Sequence, residues 1–173
     1  MMYMDKKLFE IMTGEFTGVS ESKGAFKKIL IAIDKSGYRQ KVIETGIMFA
    51  KVLGASLTAI HVIDRATLGV VWDLLSYYPG TRAEMYERGV QKESAKLLDE
   101  AKDLAQGKGV EMKTDLITNA SSAAEGILNY AKEADADLII IGTKGMTGIE
   151  KFLMGSVASK VISHAHCPVL AVR

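Results

Sequence analysis

A chain of 173 residues is long enough for one domain with a sizeable core and no staples, and its 22 Lys and Arg against 21 Asp and Glu leave a net charge of only +1. That balance, with no basic run or aromatic–basic interleaving, argues against a binder of nucleic acid or anionic membrane that relies on bulk charge. The single cysteine, Cys167, excludes an internal disulfide, no apolar stretch approaches the roughly 20 residues of a membrane span, and Asp5, Lys6, Lys7 and Glu10 interrupt any signal-peptide core, so a soluble cytoplasmic protein is expected.

Residues 1–26 stand apart from the rest. Lys6 to Met12 offers one short helical turn with Leu8, Phe9, Ile11 and Met12, too short to hold alone, and Thr13 to Gly24 has the Gly, Ser and Thr of a linker. A mobile or loosely docked arm is expected, or an arm that reaches across to a partner subunit. Residues 27–173 form the domain proper.

Ile29 to Asp34 is a short, continuous apolar run ending in a carboxylate, which predicts a strand buried on both faces. Tyr38 to Leu53 then places Val42, Ile43, Gly46, Ile47, Ala50 and Leu53 on one helical face, with Gly54 as a stop signal. Leu57 to Ile63 predicts the next strand. Between Asp64 and Gly80 the periodicity fails although Trp72, Leu74 and Tyr77 are bulky, which reads as a lid or as a patch that packs on something. Thr81 to Gln106 predicts a long helix with the stripe Leu97, Leu98, Ala101, Leu104 and Ala105. Val110 to Ile117 alternates, as a strand nearer an edge does. Ser121 or Ser122 caps a helix whose inner face is Ala124, Ile127, Leu128 and Ala131.

The stretch from Asp137 to Ser156 gathers the signals of a site. An isoleucine-rich strand runs into Gly142-Thr143-Lys144-Gly145-Met146-Thr147-Gly148, and Gly155-Ser156 opens a helix carrying Val157, Ala158, Val161, Ile162 and Ala165. Gly142, Gly145 and Gly148 are free to take φ > 0, which lets the loop curl with its amides inward. Ser156 is expected as N-cap, and the amides of Ser156, Val157 and Ala158 present the positive end of a helix dipole. One glycine would mean no more than a tight turn. Four glycines and a cap between strand and helix favour a phosphate cradle. Pro168 to Arg173 is the last strand, and its apolar edge lacks a later element to cover it. Alternation of strand and helix throughout predicts an α/β fold, a single doubly wound, five-stranded parallel sheet with helices on both faces. Ligands of such sheets sit beyond the carboxyl ends of the strands, where strand order reverses.

Gly142-x2-Gly145-x9-Gly155-Ser156 resembles the G-x2-G-x9-G-S/T signature of the universal stress protein family in its ATP-binding branch, and the resemblance extends from about Lys27 to Arg173. It implies the strand order 3-2-1-4-5, so that the strands ending in Asp34 and Gly142 flank the reversal. It also implies ATP as the ligand, with Mg²⁺ or Mn²⁺ bridging the phosphates. Ala32 and Ile33 would line the pocket, Asp34 would lie on the adenosine side, and the backbone of Val62 would meet the adenine edge. Ile141, Gly142, Thr143, Lys144, Gly145, Met146, Thr147 and Gly148 would carry ribose and phosphates, and Gly155, Ser156, Val157 and Ala158 would supply donors to the phosphates. Val169, Leu170, Ala171 and Val172 would pair antiparallel across a homodimer axis. Two departures from relatives are Ala32 in place of a proline and Thr118-Asn119-Ala120-Ser121 in place of a glycine-proline turn.

Taken without the resemblance, Asp34 is a metal ligand, a general base, a hydrogen-bonding anchor or a strand-end carboxylate capping the next turn. His61 is a strand residue with a satisfied imidazole, and Lys144 is either a phosphate contact or a solvated loop lysine. His164-x-His166-Cys167 lacks a second ligand pair, so protein side chains are not expected to hold a metal. The chain has no P-loop, no G-x-G-x-x-G after a strand and no nucleophile elbow, and offers no obvious base to activate water against a γ-phosphate. A dimeric nucleotide-dependent stress or signalling switch with an unidentified partner is therefore expected. A slow ATP hydrolase and a nucleotide-free dimeric scaffold are the alternatives.

Overall fold

The computed structural model describes residues 26–64, 69, 81–143 and 154–173. The arm expected over residues 1–26 lies outside them except for Phe26, as do most of the connection to Gly80 and the segment Lys144 to Leu153. In chain order the elements are β1 (Lys28–Ala32), α1 (Arg39–Leu53), β2 (Ser56–Asp64), α2 (Thr81–Gly107), β3 (Met112–Ala120), α3 (Ala123–Glu133), β4 (Leu138–Gly142), α4 (Ser156–His164) and β5 (Val169–Val172). All strand pairings are parallel and the order is β3-β2-β1-β4-β5, the doubly wound sheet that the alternation predicts.

The apolar runs follow from burial on both faces. Ile29 and Ile31 of β1 point to one face, where they pack with Val42, Ile47 and Ala50 of α1 and Leu97, Leu98 and Ala101 of α2. Leu30 points to the other, among Ile127 and Ala131 of α3 and Ala158 and Val161 of α4. β1, β2 and β4, each with neighbours on both sides, supply both clusters. Their lower ends are fixed by Asp137, whose carboxylate accepts the amides of Lys27 (2.7 Å) and Lys28 (3.1 Å).

Helix ends obey local chemistry with small shifts. Gly54 takes φ 63° and returns its amide to Ala50, which ends α1 as the glycine predicts. Ser122, rather than Ser121, caps α3 by accepting the Glu125 amide, while the Ser121 hydroxyl bonds the Glu125 carboxylate. β1 stops at Ala32, short of the Asp34 expected from the apolar run. Ile33 still donates to Ile60 O (3.0 Å), and Asp34 Oδ1 then accepts the Ser36 amide (3.0 Å), which turns the chain. β3 runs on to Ala120, past the predicted Ile117, because pairing with β2 resumes at Asp64–Ala120 after an irregularity. At Gly126 a Cβ would meet Val62 Cγ1 at 2.8 Å and Ala120 Cβ at 2.9 Å, so only glycine lets α3 approach β2 and β3 this closely. Among the described residues no helix is long and apolar enough to cross a membrane.

Candidate functional site

β1 pairs with β2 on one side and β4 on the other, and the chain leaves β1 through α1 toward β2. The carboxyl ends of β1 and β4 therefore splay their outgoing connections apart and open a cleft. Its floor is Ala32 at the end of β1 and Ile33 just beyond it, Ile60 and Val62 of β2, and Ile141 and Gly142 of β4. Asp34, Ser36, Arg39 and Val42 form one wall, Ala123 and Ile127 of α3 another, and Gly155 to Ala158 the third. Ten of the predicted ligand residues thus come together here: Ala32, Ile33, Asp34, Val62, Ile141, Gly142, Gly155, Ser156, Val157 and Ala158. Lys144, Gly145, Met146, Thr147 and Gly148 lie outside the described residues.

The start of α4 differs in detail from the sequence expectation. Ser156 is the first helical residue and Gly155 is the N-cap, with φ −60° and ψ 149°. The cause is distant in the chain: the Gly155 amide donates to Thr143 O (2.8 Å), which holds Gly155 extended. Ser159 donates to Gly155 O (3.0 Å), so the amides of Ser156, Val157 and Ala158 precede the first intrahelical bond. The three residues that carry them line the cleft. Gly142 is correspondingly a strand residue, in register with Val172, rather than part of a curled loop. Thr143, expected among the ligand contacts, does not line the cleft. It is buried, and both its amide (2.9 Å) and its hydroxyl (3.2 Å) donate to Val172 O.

Asp34 is half-buried, with Oδ1 holding the turn at Ser36. The capping role and a place on the cleft wall therefore coexist in one side chain. His61 Nδ1 sits 2.8 Å from Ile33 O, the satisfied strand imidazole expected, although the residue also lines the cleft. α3 is tied to β2 from above, since Asp64 Oδ2 accepts the Ala123 amide at 3.3 Å. His164 Nδ1 lies 2.9 Å from Lys160 O and His166 Nε2 lies 3.1 Å from Ala136 O, so the two rings are engaged separately. Among the described residues no group of three or more His, Cys, Asp or Glu is gathered around a common point.

Sequence reasoning missed Ser36 and Arg39 as cleft residues and read Val42 and Ile127 only as core-facing. For Arg39 a signal existed: it is a basic residue just after the turn that follows a strand-end carboxylate. The turn and helix start that carry Ser36 and Arg39 meet α2 in two exposed ion pairs, Lys35–Glu93 (2.6 Å) and Arg39–Glu100 (3.4 Å). The hydrogen bond from Lys35, and then its charge, hold the Glu93 carboxyl below its usual range.

A sequence model described as the universal stress protein family matches residues 25–173. The universal stress protein YxiE of Bacillus subtilis is 36% identical over 154 residues, covering 86% of this chain and 99% of that protein. The solved structure of hypothetical protein MJ0577 superposes with a TM-score of 0.71 at 24% identity, over 86% of this chain and 96% of that one. A universal stress protein from Archaeoglobus fulgidus in complex with dAMP superposes with a TM-score of 0.59 at 22% identity, over 86% and 99% of the two chains.

Proposed function

Because the chain belongs to the universal stress protein family, we propose that its cleft binds an adenine nucleotide, ATP with Mg²⁺ or Mn²⁺ bridging the phosphates, and that a homodimer reports occupancy to a signalling partner in the cytoplasm. One observation carries the reading. At the reversal of strand order, Ser156, Val157 and Ala158, whose amides have no backbone acceptor among the described residues, line the same cleft as Asp34. Amides at a helix start attract an anion, and a carboxylate accepts hydroxyl or amine protons, so the two ends of the cleft suit the phosphate and nucleoside ends of one ligand.

The side chains bordering those amides are small, since Gly142, Gly155, Ser156 and Ala158 leave room for tetrahedral phosphate oxygens. The A. fulgidus relative, in complex with dAMP, supports an adenine ligand for the fold. The metal's ligands would be phosphate oxygens and water. Asp34 would orient the nucleoside, and the α4 amides would hold the phosphates without moving a proton. β5 ends the sheet with one edge unpaired among the described residues, which supports pairing with a second copy.

Thermal unfolding with and without Mg-ATP, followed by phosphate release over hours, tests the proposal. Ligand at 100 times its dissociation constant stabilises by about 2.7 kcal/mol, which corresponds to roughly 5–10 °C for a chain of this size. A shift without turnover is the expected result. A shift with turnover would make the protein a slow hydrolase, and no shift would leave a scaffold.

A further inference from the structure

Arg39 faces two ways. It lines the cleft, and its guanidinium Nη2 lies 3.4 Å from Oε2 of Glu100 on α2, which is not a cleft residue. Among the described residues that line the cleft it is the only lysine or arginine. Its backbone is fixed relative to Asp34 by two successive hydrogen bonds: Arg39 donates to Ser36 O (3.2 Å), and Ser36 donates to Asp34 Oδ1 (3.0 Å). The side chain is held less firmly. The Glu100 pair is a single contact between groups 36% and 52% exposed, so water screens it and it contributes little. A guanidinium matches two oxygens of a phosphate better than it matches one distant carboxylate oxygen.

The geometry points to Arg39 as a second group, beside the α4 amides, through which the cleft distinguishes phosphorylated adenine nucleotides from adenosine, by exchanging the Glu100 carboxylate for a ligand phosphate. This rests on the nucleotide reading above and adds a side-chain determinant of ligand charge to the backbone amides. The bonds from Arg39 to Ser36 O and from Ser36 to Asp34 Oδ1 do not involve the guanidinium, so the turn keeps its place while one cation changes partner.

Calorimetric titration of the full chain with adenosine, AMP and ATP tests this, using wild type, Arg39→Gln, Arg39→Lys and Glu100→Gln. Arg39→Gln should weaken ATP binding by about tenfold or more, the loss of a charge-assisted hydrogen bond, and leave adenosine within about twofold. Arg39→Lys should recover part of the ATP affinity. Glu100→Gln should tighten ATP a few-fold and leave adenosine unchanged, because the competing carboxylate is gone. Unfolding temperatures without ligand should agree among the four proteins, as an exposed pair predicts. Equal losses for adenosine and ATP in Arg39→Gln, or no loss for either, would overturn the role of Arg39 while the nucleotide reading stands. A wild type that binds none of the three would overturn both.

Discussion

The amide of Gly155 donates to the carbonyl of Thr143 across 2.8 Å, joining at their base the two ends of the segment that carries the glycine signature. Thr143 is in turn bonded twice to Val172 O, so the join is braced by β5. This bond decides where α4 begins. It holds Gly155 extended, makes Ser156 the first helical residue, and leaves the next three amides without intrahelical acceptors. The spacing between Thr143 and Gly155 thus has a structural reason in addition to any ligand.

Ser156 stands at the one helical position where proline is tolerated, and Gly155 before it already has the extended backbone that precedes proline. Ser156→Pro should keep the fold and remove one cradle amide. Affinity for ATP is expected to fall by about tenfold, while Ser156→Ala, which loses the hydroxyl alone, should fall less. Equal ATP affinity in wild type and Ser156→Pro would show that this amide holds no phosphate.

Pro168 O, just before β5, and Val172 O accept from Ile139 of β4 and from Thr143 just beyond it, so by alternation Val169 and Ala171 turn their amides toward the open edge. Ala171→Pro should therefore spare the β4–β5 pairing and block addition of a second copy. Sedimentation should give a dimer for wild type and a monomer for the variant. A variant that folds and still sediments as a dimer would place the interface elsewhere.

Two glycines on helices should respond to alanine with opposite signs. Gly89 on α2 has none of the described residues within 4 Å of where a Cβ would go, so Gly89→Ala should stabilise by about 0.5–1 kcal/mol through helix propensity. At Gly126 the same gain is outweighed, because Ala120 Cβ lies 2.9 Å from the new atom and cannot rotate away. A net loss of about 1–2 kcal/mol is expected in urea unfolding. Stabilisation by Gly126→Ala would refute the close approach of α3 to the sheet.

Ser94 on α2 is fully buried, and its hydroxyl has no hydrogen-bond partner among the described residues. Removing an unsatisfied buried hydroxyl should be neutral or favourable, so Ser94→Ala is expected to gain up to about 1 kcal/mol. A loss of similar size in the same urea titration would reveal a bond made in solution.

Burial, with the Asp137 carboxylate adding to it, raises the Cys167 thiol above its ordinary value. Burial, and then the charge and hydrogen bond of Asp115, raise the Tyr130 phenol. The folded chain therefore keeps two protons at a pH where the unfolded chain releases them. The stability this contributes is complete below about pH 8 and is lost as pH rises through the unfolded values, near 8.5 and 10, toward the folded ones. Urea unfolding between pH 7 and 11 should show the decline, and Asp115→Asn should bring the phenol titration back toward its ordinary value. A flat or rising profile above pH 9 would contradict the shifts.

The sheet and the place of its cleft are legible in the order of residues, because those signals are local. Isoleucine runs such as Leu138 to Ile141 mark strands buried on both faces, and the repeats around Val42 and Ile127 mark helices that cover them. Alternation of the two admits few topologies, and a carboxylate and a glycine at two strand ends then indicate one site. Tertiary structure alone decided what depends on partners remote in the chain. Thr143 O moved the cap from Ser156 to Gly155, pairing with β2 prolonged β3 to Ala120, and Val62 with Ala120 made Gly126 obligatory. Arg39 joined the cleft because the turn held by Asp34 and Ser36 aims α1 there, with Glu100 of α2 alongside. Periodicity records which face of an element is apolar, but it carries no record of which distant carbonyl, methyl group or carboxylate that face will meet.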